Sequence, residues 1–480
     1  MFLKITIISA YALMIVIIGI LGMRKTRSFV DFFLGGRTIG PWMTAFTYGT
    51  AYFSAVLFIG FAGKVGWGFG YSGLWIMVGN ALIGVLCVWW LLGPRIKKMS
   101  TDYDVHTMAE FFEKRYDSPF LKLYASASIF IFLIPYTAAV FIGLSYLFKS
   151  NFNLDYTIAL LFMGLFTAVY LVLGGYKSMT MVDVVFGIIM TAGVAILLVS
   201  TIRAGGGLPS ISSKLASIDP KLIGPVGPPG LWPLFSLVFL TSVAPLAMPQ
   251  LVQKFYAIKD KRSIRIGMVA STLFAILCVG TAYFTGAAAR IFLSPETAPG
   301  AFQNAKPIFD ALMPEFIAHV IPQSLSILIL LLILAASMST LAALVLISSS
   351  SLAKDVYAGF INRNASDKHL MLLMRIASVF FILLSVIMAY LRPATIVAIL
   401  GISWGAIGSV FLGPFIWGLL SRRVNKMGAI ASSVLGLATC IVLYILGMSS
   451  PEAGTIGMIV SVCINPIVSL FGMRARGITA

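Results

Sequence analysis

Thirteen long apolar runs dominate this chain, at 5–23, 41–64, 71–93, 121–148, 154–174, 179–202, 231–252, 266–292, 322–353, 370–391, 394–420, 427–447 and 454–473. Runs of about 20 apolar residues match the hydrocarbon thickness of a bilayer. In that solvent a segment must satisfy its own backbone donors and acceptors, and for runs of this length only helices do so. The sequence therefore predicts an all-α polytopic membrane protein of about thirteen spans. With 59% hydrophobic and 10% charged residues, a soluble core has no means of burying the apolar surface.

The net charge of +18 first suggests a nucleic-acid partner, but its distribution excludes that reading. Alternate connections are basic, at 24–40, 94–120, 253–265, 354–369 and 421–426, and the chain closes with Arg474 and Arg476. The opposite connections carry few Lys or Arg. The positive-inside rule then places the amino terminus outside and the carboxy terminus in the cytoplasm, with membrane lipid as the surrounding partner. The first run is read as a retained helix and not a signal peptide, because its basic cluster, Arg24-Lys25-Thr26-Arg27, follows the apolar stretch.

Little enzyme chemistry is on offer. There is no Gly-rich phosphate loop, nucleophile elbow or HExxH motif. The cysteines Cys87, Cys278, Cys440 and Cys463 lie far apart in apolar stretches, and the histidines His106, His319 and His369 are scattered near span ends. No organic cofactor and no metal cluster is expected. Two connections are informative. HTMAEFFEKRY, within 94–120, is read as a short amphipathic helix on the cytoplasmic surface. The Gly-, Pro- and Ser-rich stretch at 203–230 is read as irregular.

Two spans carry interruptions. The run 41–64 contains Thr47-Tyr48-Gly49-Thr50, and 231–252 contains Thr241-Ser242-Val243-Ala244-Pro245 followed by Pro249. Backbone freed in a bilayer is tolerated only where it is buried in protein or lines a cavity. The interruptions lie five spans apart, an odd offset that inverts topology. This is the arrangement of transporters whose broken helices build a site near the midplane. Two ordinary kinked helices are the plainer alternative.

Among sixteen acidic residues only Asp183 lies well inside a span. A carboxylate there costs roughly 2.5 kcal/mol or more and marks function by default, unless it snorkels to the nearby cytoplasmic end. Lys64 closes the first interrupted span, as a lure for an anionic substrate or a snorkelling end residue. The run 325–353 has no formal charge but holds Ser337, Ser339 and Thr340 near its middle. Such hydroxyls commonly bond back to the preceding turn. However, Ala336, Ser339 and Thr340 share one helix face, and with carbonyls of a neighbouring broken helix they offer an all-oxygen cage for sodium.

At these residues the chain resembles the sodium:solute symporter family, over essentially its whole length. DFFLGGRTIGPWMTAF (31–46) is similar to the family's entry into its first broken helix, and TAVYLVLGGYKSMTMVDVVFGIIM (167–190) to one signature. GLLSRRVNKMGAIASSVLGLA (418–438) matches a second in the spacing of Arg423, Gly428-Ala429 and Gly436. The resemblance implies a single transmembrane domain with a leading helix (5–23), two inverted five-helix repeats (41–202 and 231–420) and two trailing helices (427–473). It also implies a sodium site made by the carbonyls of Thr50, Phe53 and Ala336 and the hydroxyls of Ser339 and Thr340. Asp183 would assist sodium's exit to the cytoplasm.

The family's TDxxQ is here Val182-Asp183-Val184-Val185-Phe186. Proline-transporting members carry an acid where Tyr52 stands and aromatics at Thr241 and Pro245, and sugar transporters carry polar groups at Val56 and Leu57. The expected substrate is thus a small organic solute, an amino acid or short carboxylate, whose carboxylate meets helix amino-terminal dipoles. The residues expected to face it are Ser54, Leu57, Tyr136, Thr241, Ser242 and Trp404. The sequence therefore reads as a sodium-coupled importer in the cell membrane working by alternating access. Competing readings are a proton-coupled or uncoupled carrier, separated by the sodium dependence of uptake, and a solute-sensing receptor, separated by counterflow.

Overall fold

The computed structural model describes residues 2–23 and 28–471. The basic cluster at 24–27 and the terminal Arg474 and Arg476 lie outside the described residues. Among the described residues nine helices are long and apolar enough to cross a membrane, or ten if the bent pair Leu231–Ala247 and Pro249–Ala257 is one span. These helices surround one continuous apolar core.

The helices differ sharply in what surrounds them. In the most apolar window of Gln323–Ile361, 94% of residues are buried, against 33% in Asp367–Leu391. The latter turns Leu372, Ile376, Val379 and Leu383 outward to the lipid zone. The former is enclosed on all sides, so Ser337, Ser339 and Thr340 lie in the interior of the protein. The helix Pro41–Tyr52 packs against it, against Tyr156–Ala204 and against Lys261–Ala289. The run Tyr156–Ala204 is two helices joined at Gly175, whose φ of 65° and ψ of −179° suit glycine and few other residues.

Both interrupted spans are broken, the second within the expected stretch and the first beyond it. In the first, Thr47-Tyr48-Gly49-Thr50 stays helical and the break falls at Phe53 and Ser54. The reason is local. Thr50 bonds back to the Phe46 carbonyl at 2.8 Å, keeping the turn wound. Gly49 makes room for the Phe274 ring, which an added Cβ would meet at 2.7 Å. Ser54 then starts a new helix, its Oγ accepting the Val56 N–H at 3.2 Å and its carbonyl the Leu57 N–H at 3.0 Å. In the second span Thr241–Val243 is helical, Ala244–Ala247 tightens to a 3₁₀ turn, and the break is at Met248 (φ −74°, ψ 119°) between Pro245 and Pro249. A residue before proline is driven from the helical region.

The connections needed two corrections. The stretch 203–230 is not wholly irregular: it holds a helix, Leu208–Ile218, and a 3₁₀ turn, Pro220–Ile223. The helix within HTMAEFFEKRY is present as Met108–Tyr116, capped by Thr107. It packs into the protein, with Phe111 against Phe415 and Phe112 against Phe411. Basic connections meet on this face. Arg37 donates to the carbonyls of Ser100 and Val105, Arg115 to those of Gly418 and Ser421, and Lys354 lies 3.7 Å from Glu110. Burial alone would raise the Glu110 carboxyl, but His106 and Lys354 hold it down at about 2. On the opposite face a short hairpin, Phe302–Gln303 with Lys306–Pro307, leads into a helix, Phe309–His319, that packs on Val56–Gly66.

Candidate functional site

The carboxyl end of Pro41–Tyr52 aims its last carbonyls at the hydroxyl face of Gln323–Ser350. Ser339 Oγ donates to Thr50 Oγ1 at 2.9 Å. Thr340 Oγ1 lies 3.1 Å from the Ala336 carbonyl, 3.3 Å from that of Ala51 and 3.5 Å from that of Thr50. Four of the five residues expected to hold sodium, namely Thr50, Ala336, Ser339 and Thr340, are thus brought into one oxygen-rich cluster. The fifth, Phe53, sits at the break itself in extended conformation (φ −112°, ψ 124°). The Ala51 carbonyl joins the cluster, and spacing along Gln323–Ser350 gave no sign of it. A helix carboxyl end is the negative pole of its dipole, so the arrangement favours a cation.

Ser337 has a different task from its neighbours. It donates to the Ile333 carbonyl at 2.6 Å and accepts the Ala55 N–H at 3.0 Å. One hydroxyl of the central helix therefore pins the start of the second half-helix. With Ser54 holding Val56, Leu57 and Phe58, the first N–H groups of that half-helix are already bonded. A substrate carboxylate would therefore find none of these N–H groups free at this break.

Asp183 does not snorkel. It is fully buried, and neither carboxylate oxygen has a hydrogen-bond partner. The hydroxyls of Thr47, Thr50 and Ser339 lie about it, and Lys254 is its charged neighbour. The residues that replace the family's polar pair are buried too: Val182 is enclosed, and Phe186 stacks on Tyr11 with ring centroids 5.8 Å apart. Apolar packing onto the leading helix thus takes the place of side-chain bonds to the aspartate.

On the other side of the Phe53–Ser54 break lies a narrow cavity of about 30 Å³, room for about two waters. Of the six residues expected to face substrate, Ser54, Leu57, Tyr136, Thr241 and Trp404 line it. Ser242 does not. It lies behind the wall, donating to Asn80 Oδ1 at 3.1 Å and crowding Gly79, where an added Cβ would meet it at 2.3 Å. One residue of helical rotation separates Thr241 from Ser242, enough to turn the second onto the neighbouring helix. The sequence reading missed Asn80, Phe61, Tyr283 and Leu400 as lining residues. Asn80, a lone amide in an apolar span, was the available signal.

Among the described residues no charged side chain lines the cavity. Its aromatic wall is continuous: the Tyr52 ring stacks on Trp404 at 6.1 Å, and Tyr136 meets Trp404 edge-on at 5.8 Å. Tyr52 Oη donates to the Thr241 carbonyl at 2.8 Å, joining the two broken helices across the cavity. The Trp404 indole N–H is buried and has no partner. A solute oxygen would supply one. Lys64, at the far end of the first broken helix, is not a free lure: it is part-buried and donates to Thr395 Oγ1 at 3.3 Å.

Comparison with known proteins places the chain among transporters by sequence and by fold. A model of the sodium:solute symporter family matches residues 32–436. The osmoregulated proline transporter OpuE of Bacillus subtilis is 28% identical, over 97% of this chain and 94% of the relative. The sodium/pantothenate symporter of Escherichia coli is 27% identical, over 89% and 87% respectively. Among solved structures, a Na+-coupled sialic acid symporter in a substrate-bound outward-open state superposes with a TM-score of 0.81 at 17% identity, covering 98% of both chains. That likeness speaks to the fold. The family match spans most of the sequence: the chain belongs to the sodium:solute symporter family.

Proposed function

We propose that this protein is a sodium-coupled importer of a small organic solute, an amino acid or short carboxylate, that works by alternating access in the cell membrane. One observation carries the reading. The oxygen cluster of Thr50, Ala51, Ala336, Ser339 and Thr340 and the solute cavity are two sides of the same two-residue break. In this reading sodium takes the carbonyls of Thr50, Phe53 and Ala336 and the hydroxyls of Ser339 and Thr340. Ordering Phe53 and Ser54 in that way removes part of the ordering cost that solute meets at Ser54 and Leu57. Tyr136, Thr241 and Trp404 complete the solute site, with Ser242 acting through Asn80. Asp183 assists sodium's departure.

The same reading takes thirteen spans in the five-plus-five arrangement, with the amino terminus outside. The basic connections gathered around Arg37, Arg115 and Lys354 support the cytoplasmic assignment of that face. At about −100 mV and a tenfold gradient, one sodium supplies roughly 2.3 kcal/mol from the field and 1.4 from the gradient. That suffices for about 500-fold accumulation of a neutral solute. A cavity wall of aromatic, hydroxyl and amide groups without a formal charge favours a solute whose own charges are balanced or few.

The test begins with a thermal-stability screen of purified protein against amino acids and short carboxylates, with and without sodium. Binding of the hit is then titrated in sodium and in choline. Linkage requires that each ligand raise the other's affinity by one common factor, typically about 5- to 150-fold. Equal solute affinity in both buffers overturns sodium coupling and favours the proton-coupled or uncoupled carrier.

A further inference from the structure

The sodium cluster leaves one charged group without a role. Lys254 follows the second break on Pro249–Ala257, a helix that packs against both Pro41–Tyr52 and Gln323–Ser350. Its side chain is 1% exposed, and its ammonium has no hydrogen-bond partner. The contact it does make is with the face of the Tyr176 ring, 4.9 Å from Nζ to the centroid. Tyr176 and Asp183 are seven residues apart on one helix and so share a face. Asp183 carries two unpaired carboxylate oxygens, and these two side chains are each other's charged neighbours.

A buried ammonium and a buried carboxylate both lose their hydration, and each is strongly favoured to find an opposite charge. Here the ammonium rests on the Tyr176 ring, on the helix face that carries the carboxylate, and no hydrogen bond joins the two charges. A lysine ammonium rides on a flexible four-carbon stem, so it can swing between the Tyr176 ring and the carboxylate. The hydroxyls of Thr47, Thr50 and Ser339 lie about the same carboxylate. One carboxylate cannot neutralise two cations at once.

We propose that the Lys254 ammonium is a tethered counter-ion that takes Asp183 when sodium leaves the Thr50–Ser339 cluster and yields it when sodium arrives. The inference rests on the sodium-symport reading and adds to it a residue from the second broken helix. Sodium entering the cluster draws the Asp183 carboxylate toward itself and returns the ammonium to the Tyr176 ring. The ammonium moving back onto Asp183 removes the attraction that retains sodium and leaves the emptied site electrically balanced. Lys254 touches neither sodium nor solute in this scheme. It is a positioning residue for the release step.

The decisive variant is Lys254→Met, with sodium binding measured on purified protein and both net uptake and sodium–solute exchange measured in proteoliposomes. With the competing cation gone, sodium affinity should rise at least about fivefold, as expected for removing a nearby like charge. Net uptake, which requires release, should fall at least about tenfold, while exchange stays within about threefold. Lys254→Arg keeps the charge and should restore net uptake. A lysine with a merely structural role gives unchanged sodium affinity and a parallel loss of uptake and exchange, and that result overturns the proposal. If Lys254→Met does not fold, Asp183→Asn supplies the second test. Alone it should weaken sodium binding about tenfold, because the ammonium then stands uncompensated, and adding Lys254→Met should bring affinity back to within about threefold of wild type. No recovery overturns the proposal. Failure of the wild-type protein to bind sodium at all is a different result, which defeats the symport reading itself.

Discussion

Each broken helix ends in a lysine, and the two lysines live in opposite circumstances. Lys64, closing the first, is part-buried, bonded to Thr395 Oγ1 and 5.9 Å from the centroid of the Phe309 ring. Its acidic neighbour Asp310 is occupied as well, accepting the Ile396 N–H at 3.1 Å. Lys254, just beyond the second break, is fully buried and bonded to nothing, and its acidic neighbour Asp183 is equally unbonded. The breaks differ in the same sense. The first is flanked by Thr50, Ser54, Ser337, Ser339 and Thr340; the second, at Met248, is set between two prolines. A satisfied pair at the end of a helix holds a structure together, whereas an unsatisfied pair in the interior is free to change partners. On the proposed reading, ion chemistry belongs to the first break and to Asp183, and the second break carries the charge that answers it.

The largest expected effect tests the hydroxyls of the first break. Ser339→Ala and Thr340→Val should each raise the sodium concentration for half-maximal uptake about 10- to 100-fold, since bonds to a charged partner are worth about 1.5–3 kcal/mol. Solute affinity at saturating sodium should change far less. Wild-type sodium dependence in both variants would reduce these hydroxyls to helix packing and erase the difference between the two breaks.

Ser337→Ala separates pinning from ligation within the same helix. It strands the buried Ala55 N–H, which costs about 1–3 kcal/mol. Thermal stability and solute affinity should fall together, while the sodium dependence of uptake keeps its shape. A selective loss of sodium activation would move Ser337 into the ion site.

A smaller change is expected where the broken helices touch. Tyr52→Phe removes the bond to the Thr241 carbonyl and should weaken solute binding about three- to tenfold, the worth of one ordinary hydrogen bond. Titration calorimetry reads it directly. No change would mean that the two breaks move independently.

The smallest effect belongs to the pair of Lys64 and Asp310. Lys64→Met should alter uptake less than about threefold, because the Thr395 hydroxyl is its one hydrogen-bond partner and Asp310 keeps the Ile396 N–H. Asp310 gives this end a pH signature. Burial raises its carboxyl to about 6, against the partial opposition of the Ile396 N–H and Lys64. A carboxyl with a raised pKa holds its proton more tightly in the folded protein than in the unfolded chain, so this group stabilises as pH falls from about 6 toward 4. Asp310→Asn should flatten that part of the melting-temperature profile. An unchanged profile would assign it to other groups.

What the sequence alone determined is the solvent of this protein and the types of residue that matter within it. Long uncharged runs have one stable solution in hydrocarbon, so the helices could be read directly. A single deeply placed carboxylate and a hydroxyl face at Ala336, Ser339 and Thr340 stood out because apolar surroundings make any polar group conspicuous. Tertiary structure decided what periodicity cannot carry. It moved the first break from Thr47–Thr50 to Phe53–Ser54, because back-bonding and the Phe274 contact hold the earlier turn wound while Ser54 caps a new one. Through helical rotation it turned Ser242 onto Asn80 and left Thr241 in the cavity wall. It gave the adjacent hydroxyls of Ser337 and Ser339 different partners, and it set Lys254 beside Asp183 across 71 positions of chain. Which helix a polar group faces depends on contacts distant in sequence, and those exist only once the helices have packed.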